Sequence, residues 1–247
     1  MSSYTVIISD MHLSARTSDL NRLFMQQLPV WQDDCNMDAL YMLGDIFDVW
    51  IGDDEDNPVI RKIIRAMADF AQHKPLYAMR GNRDFLLGRR FMRDSGAVLL
   101  DEPYLAEFYG RNFILTHGDE MCTDDIKYQK FRRISRRRCR RKAFLLLPLS
   151  IRKRIAQKAR SYSQQQKTAD GFNAISDITE QGLQQTIEKI GMTADIIHGH
   201  THRPNTHIHQ YQGKNYRRFV LQDWRDNYGG CLKIYDDGRI VAETLTL

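Results

Sequence analysis

Little in this 247-residue chain points to export, a membrane span or a disulfide scaffold. No apolar run approaches the roughly 18–20 residues that cross a bilayer. The first ten residues, Met1 to Asp10, lack a basic start followed by a cleavable apolar segment, so export is not expected. The four cysteines, Cys35, Cys122, Cys139 and Cys231, lie far apart with no C-x-x-C pair, which excludes a disulfide framework and a cysteine zinc site. Repeats and low-complexity linkers are also missing. What remains is the composition of a soluble globular protein, 42% hydrophobic and 27% charged. Its length suits one large domain with a real core, in the cytoplasm.

The most uneven absence is that of acid. From Ile126 to Ala169 there is no Asp or Glu, and Lys127 to Lys167 carries sixteen Lys or Arg. The other 20 basic residues face all 31 acidic ones. Such a block fits a solvated helix face, or a surface that meets phosphate, nucleic acid or anionic lipid.

Outside the block, strands and helices alternate. Tyr4 to Ser9 is a β-branched run that ends at Asp10 and His12. Ser18 is placed to cap a helix through about Leu28, and Ala39 to Leu43 reads as the second strand. Pro58 suits a helix start, with Ile60, Ile63, Ile64, Met67 and Phe70 at helical spacing. Leu76 to Met79 is a third strand. Tyr104 to Phe108 and Asn112 to Thr116 flank Gly110-Arg111 like a hairpin. A helix from about Ile178 to Ile190 precedes a strand from Ala194 to Ile197. Thr206 to Tyr211, Tyr216 to Leu221, Cys231 to Tyr235 and Ile240 to Leu245 look like successive strands. The reading is a single α/β domain over 1–247, interrupted by a basic helical insertion at about 123–170.

Five strand ends carry metal-ligand chemistry: Asp10 and His12, Asp45 and Asp48, Asn82 and Asp84, His117 and Asp119, and His198, His200 and His202. Alternate residues on an extended chain point the same way, so Asp10 with His12, and His198 with His200, can reach one ion. Carboxylate, imidazole and amide oxygen without thiolate favour Mn, Fe, Mg or Zn. Asp45 is the candidate bridge between two ions. A single Asp or His in a loop is usually a cap or a turn residue. Five clusters, each after a strand and together holding five of the eight histidines, are hard to explain that way. His73, His207 and His209 are left as surface or sheet residues. Trp31, Trp50 and Trp224 read as packing residues, with Trp50 near enough to shape the wall of the site.

D-x-H, G-D-x-x-D, G-N-x-D, H-G-D and G-H-x-H, in this order from Asp10 to His202, resemble the calcineurin-like metallophosphoesterases. That resemblance implies a two-sheet β-sandwich flanked by helices. It also implies two divalent cations, Mn2+ foremost, the first held by Asp10, His12, Asp45 and His200 and the second by Asp45, Asn82, His117 and His198. Most of the superfamily has histidine where this chain has Arg83. A histidine there could protonate a poor leaving group, whereas arginine stays charged and clamps phosphate oxygens. Pyrophosphate cleavage, whose leaving group departs unprotonated, is favoured over phosphomonoester hydrolysis.

Longer matches are similar to the branch that hydrolyses a lipid-linked sugar nucleotide in lipid A biosynthesis, releasing UMP and a diacylated glucosamine 1-phosphate. They are Gly44 to Asp54, Arg80 to Gly88, Thr116 to Asp125 and His198 to Pro204. The resemblance implies that Asn82, Arg83 and His198 meet the substrate, and that Asp125, Tyr128, Ser163 and Lys167 contact its sugar phosphate from the insertion. Asp170 stands where that branch often has lysine. The insertion then has an account as a lid. Phe144 to Ile151 can dip into a membrane interface, flanked by Arg136 to Lys142 and Arg152 to Arg154, which attract anionic lipid. Leu145, Leu146, Leu147 and Leu149 could equally pack the insertion onto the core. A peripheral monomer on the cytoplasmic face of the inner membrane, with no nucleic-acid partner, is the expected form. The competing readings are a metal-dependent nuclease, a smaller nucleotide phosphodiesterase, and a non-enzymatic anionic-lipid or RNA adaptor. The nuclease has only Tyr128, Phe131, Phe144 and Tyr162 as stacking aromatics in the basic block, and the adaptor leaves the five clusters unused.

Overall fold

The computed structural model describes residues 2–158 and 177–247. Strands β1 (Tyr4–Ile8), β2 (Met37–Leu43), β3 (Leu76–Met79) and the short β4 (Val98–Leu99) run parallel in one sheet. Near the end of the chain, β10 (Tyr228–Tyr235) returns antiparallel to β1, and β11 (Ile240–Thr246) pairs with β10. The second sheet contains β5 (Tyr104–Phe108), β6 (Arg111–Leu115), β7 (Asp195–His198), β8 (Asn205–Tyr211) and β9 (Lys214–Val220), in the order β5-β6-β7-β9-β8.

Side-chain alternation along the strands sorts the apolar residues into three layers. Val6 and Ile8 face α1 (Ser18–Asp33) and α2 (Pro58–Ala71), where Phe24, Ile63, Met67 and Phe70 are buried. Ile7 points the other way, into a layer between the sheets with Leu43, Met79, Phe113, Leu115 and Ile197. Ile114 and Ile196 pack outward against Leu183 and Ile187 of α6 (Glu180–Ile190). Each such buried side chain contributes about 1.5–3 kcal/mol. The expected two-sheet sandwich flanked by helices is the architecture observed.

Local departures have local causes. The N-cap of α1 is Thr17, not Ser18, and its hydroxyl accepts from the Ser14 amide rather than from the first helical turn. The helix also runs past Pro29, with Trp31 buried in its last turn. Asn57 caps α2 by accepting from the Val59 amide, with Pro58 at the first turn. The hairpin turns at Tyr109-Gly110, both with positive φ (53° and 75°), one residue earlier than expected. A further helix, α3 (Arg89–Ser95), was not expected. Its first turn is capped from a distance by Asp53, which accepts from the amides of Gly88, Arg90 and Phe91.

The basic segment is helical where described: α4 (Ile126–Ser135), α5 (Arg138–Leu145) and a helical stretch over 149–158. Among the described residues no helix is long and apolar enough to cross a membrane. Two of the arginines expected to face lipid point inward instead. Arg152 is buried, donating to the carbonyls of Ile51 (2.6 Å) and Leu147 (2.9 Å) and pairing with Asp54. Arg136 pairs with Asp119 (2.7 Å) and Glu102 (3.1 Å). Together they pin the insertion to the core. The apolar residues divide: Phe144 packs against the core, whereas Leu146 is 86% exposed and Leu145 is exposed beside it.

Candidate metal centre

The strand ends converge. β1 and β2 stop side by side, and the Gly44 carbonyl accepts from the Asp10 amide (3.1 Å) while the Asp45 carbonyl accepts from the His12 amide (3.0 Å). Asp10, His12, Asp45, His200 and His202 all adopt the left-handed region, with φ between 49° and 67°. Non-glycine residues held there cost of order 1–3 kcal/mol each, and such strain clusters at functional sites. The effect is to turn side chains from both sheets into one space. A Cβ on Gly44 would sit 2.7 Å from Gly81 and 2.8 Å from the His117 ring, so the loops meet only because that position is glycine.

Two overlapping groups of donor atoms result: Asp10, His12 and His202, and Asp10, Asp45 and His117. His117 donates Nδ1–H to the Leu43 carbonyl (2.9 Å), and its Nε2 faces Asn82 Oδ1 (2.9 Å) and Asp45 (3.6 Å). The same amide oxygen lies 2.8 Å from His200 Nδ1. His202 sits between Asp10 and Asp223, 3.2 Å from each. His12 is the informative residue. Both its ring nitrogens are buried without a hydrogen-bond partner, and Nδ1 is 3.8 Å from Asp45. A buried, unpartnered imidazole among carboxylates is costly unless a cation completes it, so the donor set fits divalent metal.

Electrostatics agrees. Burial, together with the charges of Asp10 and Asp84, pushes the Asp45 carboxyl up to about 7 against the pull of His117 and Arg83. Burial and the Arg83 guanidinium drop His12 to about 3, and burial drops His200 to about 3, so both rings are neutral near pH 7, the form a metal ion requires. Burial disfavours charge on His202 and His117, but Asp10 and Asp223 raise the first to about 9, and Asp45 and Asp10 raise the second to about 9. Without metal these two rings carry the positive charge that the carboxylates call for.

His198 departs from the expected ligand set. As the last residue of β7 it points away from the cluster, with Nε2 3.1 Å from Arg218 and Nδ1 on the Gly199 carbonyl (2.8 Å). The chain leaves the strand after it, and His200 and His202 take the places that alternation assigned to His198 and His200. The other carboxylates of the motifs do structural work. Asp48 holds Arg83 (2.6 Å), and Asp84 accepts from the Gly81 and Ile46 amides (both 2.7 Å), tying two loops together. Asp119 is fully buried beneath the insertion and takes Arg132, Arg136 and the Tyr128 hydroxyl. Asp223, beyond every motif, was missed, since nothing local marks it.

Arg83 lies at the rim, with Nε 3.3 Å from Asp45 and its amide on the same carboxylate (2.8 Å). Tyr128 brings its ring to 6.2 Å from His200, and Asp125 caps α4 through the Tyr128 amide (2.9 Å). Ser163, Lys167 and Asp170 lie outside the described residues. Trp50 is buried against Phe47 and Phe91.

Residues 4–229 match the family model of the calcineurin-like phosphoesterases. The chain belongs to that family. Three relatives named UDP-2,3-diacylglucosamine hydrolase are similar to this calcineurin-like phosphoesterase over nearly its whole length. The Chromobacterium violaceum protein is 46% identical over 94% of this chain and 95% of its own. That of Aeromonas hydrophila is 43% identical over 89% and 90%, and that of Haemophilus influenzae 40% over 95% and 96%. Family membership and the Asp/His cluster together make divalent metal the cofactor of this hydrolase fold.

Proposed function

We propose that this protein hydrolyses the pyrophosphate of UDP-2,3-diacylglucosamine to UMP and 2,3-diacylglucosamine 1-phosphate at the cytoplasmic face of the inner membrane. The observation that carries the reading is a buried Asp/His cluster with an unpartnered imidazole, roofed by an insertion whose outer residues are apolar and cationic. The inner face suits a diphosphate and the outer face suits lipid. The names of the relatives supply the substrate.

Asp10, His12, Asp45, Asn82, His117, His200 and His202 would hold two divalent cations, Mn2+ being our choice. When bound, such a pair supplies Lewis-acid charge and lowers the pKa of water to near neutral. The protein's own groups do the rest. Leu43 fixes the His117 tautomer through Nδ1, and Asp223 fixes His202. Arg83 can exchange Asp48 for a phosphoryl oxygen without moving its backbone, which Asp45 anchors. A guanidinium there offers parallel hydrogen bonds to phosphoryl oxygens, which suits a UMP or sugar-phosphate leaving group. The Tyr128 hydroxyl is committed to Asp119, so its ring rather than its proton faces the centre. Asp125, Ser163, Lys167 and Asp170 are proposed to meet the sugar phosphate.

Turnover on UDP-2,3-diacylglucosamine with Mn2+ should exceed that on cyclic AMP or single-stranded DNA. A preference for either of the latter would overturn the assignment. Arg83→Ala is expected to lower kcat/KM by the equivalent of about 2–4 kcal/mol, with an unchanged pH profile. Loss of one limb of that profile would instead make Arg83 a proton-transfer group.

Membrane contact has a separate test. Ile126, Phe131, Leu146, Ile151 and Ile155 are exposed on the insertion, and Arg137, Arg138 and Arg140 are exposed nearby. Arg137→Gln/Arg138→Gln/Arg140→Gln should weaken binding to anionic vesicles and flatten its salt dependence, at about 1 kcal/mol per cation. Leu146→Asp should weaken it even at low salt, with circular dichroism unchanged. Vesicle binding like the parent's in both variants would remove the membrane claim.

A further inference from the structure

Beside the metal centre, between the β3–β4 edge and the insertion, is a cavity of about 250 Å3 whose lining includes five cations: Arg80, Arg132, Arg136, Arg141 and Lys189. Three of these are answered by acids in the same wall. Arg132 lies 3.1 Å from Glu120 and 3.3 Å from Glu102, Arg136 lies 3.1 Å from Glu102, and Lys189 lies 3.4 Å from Glu120. Arg80 and Arg141 differ. Among the described residues neither has a carboxylate within ion-pair distance, and Arg80 donates only Nε, to the Leu87 carbonyl (2.9 Å). Both are half-buried. Burial and the neighbouring guanidiniums hold both below the ordinary arginine value, Arg141 and Arg136 acting on Arg80, and Arg136 and Arg138 on Arg141.

Asp101 in the same lining acts on Arg80, and Asp53 on Arg141, only from beyond ion-pair distance. Partly desolvated like charges without a counter-ion in contact work against folding, and surface arginines normally swing into water to avoid the penalty. Here two stay at one cavity with their terminal nitrogens unspent. Paired guanidinium forks match the oxygens of a phosphate group, each able to donate two parallel hydrogen bonds. We propose that this cavity is a phosphate-binding site, in which Arg80 and Arg141 hold the oxygens of a phosphate mono- or diester. None of the metal-centre residues lines it. It reaches that centre only through its walls: Arg136 donates to the Gly81 carbonyl (3.2 Å) beside Asn82, and Glu102 accepts from the His117 amide (2.8 Å).

The site is independent of the substrate reading and is tested apart from it. Metal-loaded protein titrated calorimetrically with inorganic phosphate, and separately with glycerol 3-phosphate, is expected to show a second site besides the metal centre. Arg80→Gln/Arg141→Gln should weaken that second site at least tenfold and leave turnover unchanged. The single variants carry the same test should the double variant unfold. In phosphate-free buffer each single variant should melt no lower than the parent, because it relieves repulsion; a purely structural arginine would lower the Tm. Phosphatidylglycerol vesicles separate the sources. If the soluble probes show one site in both proteins but vesicle binding falls tenfold further than in an Arg137→Gln/Arg138→Gln control of equal charge, the occupant is a lipid headgroup. Phosphate, glycerol 3-phosphate and vesicle binding that all match between parent and variant would overturn the proposal.

Discussion

Asp45→Asn is expected to reduce turnover by several orders of magnitude while the fold persists. Asp45 is the carboxylate nearest both His12 and His117, so its loss removes the residue that two cations would share. His202→Ala should lose metal as well, whereas His198→Ala should retain it, because His198 faces Arg218. Equal metal content in all three variants would refute the ligand set. Stripped of metal, the parent should also show a distinctive pH dependence. Burial holds the Asp45 carboxyl at about 7 in the folded chain, against 3.8 for an ordinary carboxyl. Folding therefore takes up a proton between these values, and the group's contribution is full below about 4 and lost as pH rises through 7. Asp45→Asn should abolish that part of the slope in urea unfolding with EDTA present. Retention of the full slope would assign the titration to another group.

Arg136→Met is expected to cause the largest loss of stability among single changes in the insertion, about 3–5 kcal/mol by denaturant unfolding at neutral pH. Its guanidinium lies against the fully buried Asp119 and the nearly buried Glu102, and it also caps the Gly81 carbonyl. Removal leaves two carboxylates with Arg132 as their remaining close cation. Burial opposes charge on Asp119, but Arg136 and Arg132 hold its carboxyl well below the usual range. The deficit should thus be complete above about pH 4 and shrink in more acidic solution, where the carboxyl protonates in the unfolded chain first. Adding Asp119→Leu to Arg136→Met should recover part of the loss, since the uncompensated charge is then gone. An unfolding midpoint equal to the parent's would show that the arginine cluster is merely decorative.

Much of the fold was legible because apolar periodicity decides it. The faces of α2 and the three parallel strands follow from residues such as Ile63, Met67 and Ile7, whose burial is set by spacing alone. Elements whose stabilising partner is distant in sequence were not legible. The cap of α3 is Asp53, some 35 residues before it, and no local signal announces that bond. The metal centre was partly legible. Ordered motifs found the loops, but alternation chose His198 and His200 where the structure gathers His200 and His202. Alternation presumes an extended chain, and here β7 ends at His198, after which two residues with positive φ re-aim the rings. Motif membership likewise overstated Asp48, Asp84 and Asp119, which hold an arginine, a pair of loops and the insertion. The charge of the basic block was evident in the sequence, yet which arginines face inward was not, because Asp54 and Glu102 lie far from Arg152 and Arg136 along the chain.

The position of β1 has a consequence for synthesis. Tyr4 to Ile7 are made long before β10, one of the two strands that flank them. Until residues 228–235 leave the ribosome, β1 keeps an open edge of unpaired amides and carbonyls, an edge able to recruit other chains. The nascent protein can assemble β1, β2 and β3 early but cannot close that sheet, and Trp224, whose amide bonds the Asp10 carbonyl, arrives just before the closure. Folding dominated by pairing across so much sequence is slow. Competence to gather metal therefore waits on the emergence of β10, and a chain truncated before residue 228 should aggregate rather than persist as a weak enzyme.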